Sequence, residues 1–115
     1  MVSQKKEKNE RIIDINCSIA CILYFTNKKT KKDFCKNEIL KKVIIRWFEK
    51  ISEAAKYVPV IIKQEYSNIP WKEMEAIREV FKNNHDDINP EVIWNTIKID
   101  LPPLHEQIKK ITSCN

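Results

Sequence analysis

An arginine and a histidine lie close together in a polar stretch of this sequence, and together they could act on a phosphodiester. Arg78 and His85 are seven residues apart, and Asp86 and Asp87 follow the histidine. A histidine with an ordinary pKa of about 6.5 can take a proton from a ribose 2′-hydroxyl. An arginine can stabilise the charge that builds on the phosphorus oxygens. On an unbroken helix the two side chains would share nearly one azimuth, about 10 Å apart along the axis. Such a pair on one helix is nevertheless common, so the spacing alone identifies no site.

The cysteines form a second group with possible chemistry. Cys17 and Cys21 are one helical turn apart and could supply two zinc ligands. A closed zinc site needs four ligands, and Cys35, Cys114 and the two histidines show no paired spacing to complete it. We therefore expect no metal, and we expect the thiols to act as small buried apolar residues.

Paired carboxylates and aromatic residues are two more groups that could do chemistry. Glu49 and Glu53 are also one turn apart, but the basic residues around them are typical of a solvated, salt-bridged face. The three tryptophans could stack on bases. Their helical spacing among aliphatic neighbours instead favours packing in a core or an interface. These tryptophans are Trp47, Trp71 and Trp94. The second histidine, His105, comes shortly after two prolines, and we expect it at the surface.

The most informative feature of the composition is the complete absence of glycine from 115 residues. Average usage of about 7% would give roughly eight. Phosphate-binding loops of the P-loop and dinucleotide types require glycine, so the sequence excludes both. Tight hairpins also depend on glycine, and its absence therefore favours helices. A net charge of +5 suits a phosphate-bearing or acidic partner, but a lysine-rich composition can also reflect an AT-rich genome or a hot habitat.

Apolar residues recur at helical spacing in the first half of the chain. Ile12, Ile15, Ile19 and Ile22 predict a first helix from Asn9 to Thr26, after a frayed start over residues 1–8. A polar connector follows, in which Thr30 and Asp33 form a plausible N-cap pair before Phe34. A second helix is predicted from Asn37 to Tyr57. Its inward stripe consists of Leu40, Ile44, Phe48, Ile51 and Ala55.

Prolines mark the starts of the later helices. After a short helix over Val60–Tyr66, Pro70 opens a third helix that ends near Asn83–Asn84. Asn89-Pro90-Glu91 begins a fourth helix, which Pro102 and Pro103 bend or restart. The sequence predicts one all-α domain over residues 1–115, an antiparallel up-and-down bundle of four to five helices. The stretch from Ile12 to Phe25 is rich in apolar residues, but Asp14 and Asn16 interrupt it, and it is too short and too polar for a membrane span or a secretory leader. We therefore expect a cytoplasmic protein with reduced thiols.

Two long segments resemble a known family. They are Ile69-Pro70-Trp71-Lys72-Glu73-Met74-Glu75-Ala76-Ile77-Arg78 and Val92-Ile93-Trp94-Asn95-Thr96-Ile97-Lys98-Ile99-Asp100-Leu101-Pro102-Pro103-Leu104. With Ile51-Ser52-Glu53-Ala54-Ala55-Lys56 from the second helix, they are similar to the HepT-like toxins of the HEPN superfamily. The likeness extends from about Ile12 to Ile111.

The resemblance implies an all-α, HEPN-like bundle that forms homodimers and acts as a metal-independent endoribonuclease toxin, with no cofactor. It also implies a partner, a small nucleotidyltransferase antitoxin, and an RNA substrate. In that family the catalytic residues stand in an Arg-x4-His-x-Tyr motif, with a looser Arg-x4–6-His spacing elsewhere in the superfamily. Arg78 matches the arginine of the motif.

The histidine of the motif can be placed in two ways. At the wider spacing His85 is the base, and the protein is an active ribonuclease. Without a gap, Asn83 takes the histidine position and His85 the tyrosine position, so the protein would be a binding module that keeps its partner surfaces without cleaving RNA. Glu79 stands where the family usually has asparagine. The tyrosine that the antitoxin adenylylates has no counterpart in either register, since the wider one places Asp87 there.

Overall fold

The first helix determines one whole side of the bundle. The structure is a computed structural model that describes the backbone of residues 2–81 and 89–113 and the side chains of residues 10–77, 79, 81 and 89–111. Helix α1 spans Val2–Thr26, so the predicted start at Asn9 is wrong. Residues 4–8 are all strong helix formers, and no proline or glycine interrupts them. The predicted inward stripe is confirmed, because its four isoleucines are all buried.

A capping box starts the short helix that follows. Helix α2 spans Lys31–Lys36 and buries Phe34. The Asp33 N–H donates to the Thr30 hydroxyl at 3.1 Å, and the Thr30 N–H donates to the Asp33 carboxylate at 3.0 Å. The predicted pairing of Thr30 with Asp33 is therefore confirmed, and the connector is itself partly helical.

Removing this cap should weaken the fold measurably. Thr30→Ala is expected to lower the free energy of unfolding by about 1 kcal/mol, because an orphan N–H of the first turn loses its acceptor. Chemical denaturation measures the change. Thr30→Ser, which keeps the hydroxyl, is the matched control and should remain close to wild type. Equal losses in both variants would contradict the capping explanation.

The same cap makes the stability depend on pH. The hydrogen bond from the Thr30 backbone, and then that from its side chain, hold the pKa of Asp33 below its ordinary value of 3.8. A carboxyl group whose pKa is lower in the folded state stabilises the fold above its unfolded pKa. That contribution is lost as the pH falls through the folded pKa. Thr30→Ala should therefore differ less from wild type at pH 3 than at pH 7.

Helix α3 is the central helix of the bundle. It spans Glu38–Lys56 and begins at Asn37, whose side chain accepts the Leu40 N–H at 3.0 Å. It packs against α1 on one side and against the segments after Pro70 on another. Its predicted stripe is confirmed from Ile44 to Ala55, and Leu40 at its start is partly buried.

The predicted third helix is two short helices. Helix α4 spans Val60–Glu65, α5 spans Trp71–Glu75 and α6 spans Ile77–Phe81. Pro70 is the N-cap of α5 and not its first residue, and the helical structure is interrupted at Ala76. The predicted unbroken helix from Pro70 is therefore wrong. Its predicted end at Asn83–Asn84 lies outside the described residues.

The fourth predicted helix contains a local change of register. Helix α7 spans Pro90–Asn95, a π-helical turn spans Thr96–Asp100, and α8 spans Leu101–Ser113. The Asn89 cap is confirmed, because its side chain accepts the Glu91 N–H at 3.0 Å. Pro102 and Pro103 lack the N–H groups that an α-helix needs at these positions. The Leu101 N–H instead reaches back five residues to the Thr96 carbonyl. The prolines therefore follow a widened turn within a continuous helical path.

The described helices form an all-α bundle, which confirms the predicted fold class. Helix α1 packs on α3 and α8, α3 packs on α5 and α6, and α2 packs on α7. The buried apolar residues of these elements form one cluster. No described residue belongs to a strand, and no helix within the described ranges is both long and apolar enough to cross a membrane.

Candidate functional site

Helix α6 carries the backbone of Arg78. Of the three candidate residues, Arg78 is described by its backbone alone, and Asn83 and His85 lie outside the described residues. What the structure shows is how the elements on either side are held. Arg78 is the second residue of α6, directly after the interruption at Ala76.

A serine from α3 explains this interruption. In an unbroken helix the Glu75 carbonyl would accept the Glu79 N–H. Here that carbonyl accepts the Ser52 hydroxyl at 2.6 Å, and the Glu79 N–H donates to the Ala76 carbonyl at 3.0 Å. Ser52 is only 2% exposed, so its hydroxyl is directed at the Glu75 carbonyl inside the protein. A polar contact across 23 residues of sequence thus determines where α6 begins.

A salt bridge holds the same residue from the other side. The Lys63 ammonium lies 2.8 Å from the Glu75 carboxylate, and both side chains are partly buried. Glu75 is therefore anchored through its backbone by α3 and through its side chain by α4. Arg78 follows three residues later, so these two contacts with Glu75 also restrict the position of the Arg78 backbone.

The serine contact predicts a measurable cost. Ser52→Ala should lower the free energy of unfolding by about 1–2 kcal/mol, because the Glu75 carbonyl loses its donor in a poorly solvated place. Thermal or urea unfolding checks this value. Ser67→Ala, at an exposed turn, is the control and should change little. A Ser52→Ala variant as stable as that control would show that the hydroxyl contributes nothing.

The other end of α6 is fixed by an aromatic pair and by a backbone bond. The rings of Phe48 and Phe81 meet edge to face, with their centroids 4.8 Å apart. The Asn89 N–H donates to the Phe81 carbonyl at 2.9 Å. Residues 82–88, which include Asn83 and His85, are thus bounded by two residues that are hydrogen-bonded to each other. The two described residues that flank this segment, Phe81 and Asn89, therefore lie next to each other.

A cleft of about 460 Å³ lies between the segment of α5 and α6 and the start of α8. Its walls are largely apolar and include Met74, Ile77 and Leu104, while Glu73 and Asp100 supply acidic groups. Two carboxylates repel phosphate, so this cleft is poorly suited to an RNA backbone.

A zinc site at the cysteines receives no support from the described side chains. No group of three histidine, cysteine or acidic residues in the described ranges is arranged to hold a metal ion. The thiols are not buried as predicted: Cys17 is exposed, and Cys21 and Cys35 are half-buried. Cys114 lies outside the described residues. The three described thiols lie toward the surface because isoleucines and Phe34 fill the core.

The tryptophans and the paired glutamates belong to the packing and the surface of the bundle. Trp71 and Trp94 are buried and Trp47 is partly buried, which agrees with the predicted packing role. Glu49 is half-buried and Glu53 is exposed on α3.

His105 lies less openly at the surface than the sequence predicts. It is half-buried on α8. Burial, and then the charge of Lys109, lower the pKa of His105. This histidine is therefore held toward its neutral form.

Sequence reasoning missed two features of this region. Ser52 gave no signal, because a serine within a helix is ordinary and its partner is distant in sequence. The packing of α2 on α7, through Phe34 and Lys31, also gave no signal, because the partner residues are distant in sequence.

The all-α bundle, in which an anchored helix carries Arg78, is a HEPN-like helical domain. Residues 15–111 match the ribonuclease HepT-like family. Because that match covers most of the chain, the protein belongs to the ribonuclease HepT-like family. No solved structure matches the chain significantly.

Similar proteins come from archaea and bacteria. A Methanocaldococcus jannaschii protein named "Gamma-glutamylcyclotransferase and putative RNase" is 35% identical over 94 residues, which cover 82% of this chain and 42% of that protein. A Caldanaerobacter subterraneus protein named "Putative RNase" is 34% identical over 80 residues, 70% of this chain and 71% of its own length. "Probable ribonuclease HepT" of Thermococcus cleftensis is 30% identical over 107 residues, 93% of this chain and 97% of its own length.

Proposed function

We propose that this protein is a metal-independent endoribonuclease toxin that cleaves RNA with Arg78 and His85. The observation that carries the proposal is the family match over residues 15–111, which includes the anchored helix of Arg78 and the segment of His85. The similar proteins are named as ribonucleases, and the chain offers an arginine on an anchored helix and a histidine seven residues later in the sequence.

The reaction follows from the ordinary chemistry of these two groups. His85 takes the proton of a ribose 2′-hydroxyl, and the 2′-oxygen attacks the neighbouring phosphorus. The bond from phosphorus to the 5′-oxygen breaks, which gives a 2′,3′-cyclic phosphate and, after protonation, a 5′-hydroxyl. Arg78 stabilises the negative charge on the phosphorus oxygens during this step. The chain's own groups thus supply both the base and the charge stabilisation.

The resemblance supports two further parts of the proposal. The protein forms homodimers in the cytoplasm, and a small nucleotidyltransferase antitoxin binds and neutralises it. The motif tyrosine has no counterpart, so neutralisation rests on binding and not on adenylylation. A nucleotidyltransferase reading frame beside the gene, and co-purification of its product, would support the pair. An isolated gene with no such neighbour would argue against it.

Cleavage by purified wild-type protein tests the proposal. Labelled single-stranded RNA should be cut in the presence of EDTA, and the products should carry 2′,3′-cyclic phosphate ends. A requirement for added Mg²⁺ would refute metal independence. RNA that stays intact at high protein concentration would refute the enzyme.

The second candidate function is a non-cleaving binding module. The observation that favours it is the ungapped motif register, in which Asn83 stands at the position of the base. Asparagine cannot accept a proton at neutral pH, so such a protein would dimerise and bind its nucleotidyltransferase partner without cleaving RNA. Binding of that partner by a protein that leaves RNA intact in the assay above would select this function.

A further inference from the structure

The positive charge of this protein is concentrated in one short stretch. Of the 21 basic and 16 acidic residues, seven lysines and two acids fall within residues 27–42. The rest of the chain therefore holds fourteen of each sign, and the net charge of +5 arises wholly from these sixteen residues. A concentrated basic stretch is the electrostatic signature of a surface that meets a polyanion.

The two acids in this stretch are already engaged. The Asp33 carboxylate accepts the Thr30 N–H, and Glu38 pairs with Lys41 at 2.8 Å. The Asp33 carboxylate keeps its charge beside Lys29 and Lys36, but seven lysines against two acids leave the stretch positive. Four exposed lysines lie around the start and the end of α2, and we call them the lysine surface: Lys28, Lys29, Lys32 and Lys36.

Helix α2, which carries Lys32 and Lys36 of this surface, packs on α7. The rings of Phe34 and Trp94 lie 5.6 Å apart and join α2 to α7. Lys31 of α2 also forms a 3.3 Å ion pair with Glu91, two residues after Asn89. Asn89 is hydrogen-bonded to Phe81, the last residue of the helix that carries Arg78. Helix α2 is therefore joined through α7 to Asn89 and Phe81.

An exposed aromatic pair borders the lysines. Tyr24 is 77% exposed and Phe25 is 41% exposed in the last turn of α1, which ends at Thr26, one residue before the basic stretch begins. Their rings pack edge to face, 5.6 Å apart. Proteins that bind single strands combine a basic groove with aromatic side chains on which bases stack. The combination of lysines with an exposed aromatic side chain is the one that single strands require, so we take a single strand as the occupant.

The turn between the aromatic pair and the lysines is strained. Lys28 adopts a φ of 66°, the left-handed conformation that glycine or asparagine adopts more easily at a helix end. A lysine at this position retains a charge at the expense of stability. Strain of this kind is a feature of functional segments.

We propose that the lysine surface, together with Tyr24, is the docking surface for single-stranded RNA. The proposal rests on the proposed function for the identity of the ligand. The lysines contact phosphates, and Tyr24 stacks on a base. The cleft beside α8, with its apolar walls and acidic groups, is not part of this docking surface.

RNA binding in a non-cleaving background tests the surface directly. All variants carry Arg78→Ala, and fluorescence anisotropy with a labelled single-stranded RNA gives Kd across a series of KCl concentrations. Lys29→Gln with Lys32→Gln should weaken binding and reduce the slope of log K against log salt by about 1.4, or about 0.7 per phosphate contact. Lys56→Gln with Lys72→Gln, two exposed lysines on other elements, is the matched control and should keep the parent slope.

The aromatic contribution has its own matched pair. Tyr24→Ala should weaken RNA binding about 5-fold or more, as expected for the loss of one base stack. Tyr57→Ala, an exposed tyrosine at the end of α3, should leave Kd unchanged. Equal affinities of the two variants would remove Tyr24 from the proposal.

Lys28 gives a test that separates a binding role from a structural one. Lys28→Gly should raise Tm, because glycine tolerates the left-handed conformation, and at the same time it should weaken RNA binding. Opposite changes in the two measurements support a functional charge at this position. A higher Tm with unchanged affinity would contradict the role of Lys28.

The outcomes also separate this surface from the proposed enzyme. If wild-type protein binds RNA but leaves it uncut, the ribonuclease fails while the lysine surface stands. If the Lys29 and Lys32 substitutions leave Kd and salt slope unchanged, the surface is refuted whether or not the wild type cleaves. The stretch would then be assigned to an acidic protein partner. Failure of the parent to bind RNA at all would also overturn the proposal.

Discussion

Replacing Arg78 or His85 with alanine is expected to lower the rate of RNA cleavage by about 10²–10⁴-fold. Loss of His85 removes the base that accepts the 2′-hydroxyl proton, and loss of Arg78 removes the charge that stabilises the phosphorus oxygens. Initial rates with labelled single-stranded RNA, at equal concentrations of folded protein, measure both effects. The double variant should be little slower than either single variant, because the two groups act in one step.

Two substitutions distinguish loss of the catalytic pair from competing explanations. Arg46→Ala, at an exposed arginine of α3, should cleave at the wild-type rate and serves as the matched control. Asn83→His restores the Arg-x4-His spacing that the resemblance implies. If wild type and His85→Ala are both inactive but Asn83→His cleaves RNA, the protein is a decayed enzyme and His85 is not its base.

Phe48→Ala is expected to give the largest loss of stability among single substitutions of α3. The ring is 1% exposed and meets Phe81 edge to face at the end of α6. Removing a buried aromatic ring costs about 3–5 kcal/mol through lost burial and the cavity that remains. For a domain of this size, Tm should fall by about 10–20 °C. Calorimetry measures the shift, and urea unfolding measures the free energy.

Position on the helix, and not residue type alone, should explain this loss. Ile39→Ala removes an apolar side chain that is 77% exposed on the same helix, and its stability should stay within about 0.5 kcal/mol of wild type. Phe48→Leu, which fills part of the space, should fall between the two. A Phe48→Ala variant that unfolds like Ile39→Ala would show that the contact with Phe81 does not support the fold.

Much of the bundle was predictable because the signals are local. Isoleucines at helical spacing predicted the buried face of α1, and the stripe from Ile44 to Ala55 predicted that of α3. Thr30 and Asn89 were recognisable as caps because a capping side chain bonds to a backbone group two or three residues away. The start of α1 was misjudged because residues 4–8 favour a helix without any apolar spacing.

The candidate site shows where local signals end. Arg78 was selected by its residue type and by the resemblance, and both were visible in the sequence. Its place in the fold depends on Ser52, which accounts for the interruption at Ala76, and on Lys63, which holds Glu75 from a different helix. Neither contact has a sequence signature, because each joins groups that only the packed bundle brings together.

The sequence by itself determined the all-α class, most of the buried faces, the caps, and the identity of the residues that could act on RNA. Helical period, side-chain size and short-range hydrogen bonding suffice for these. Only the tertiary structure decided where α6 begins, that Phe81 is hydrogen-bonded to Asn89, and that α2 packs on α7 through Phe34 and Lys31. These arrangements depend on contacts between residues distant in the chain, which exist only once the core has formed.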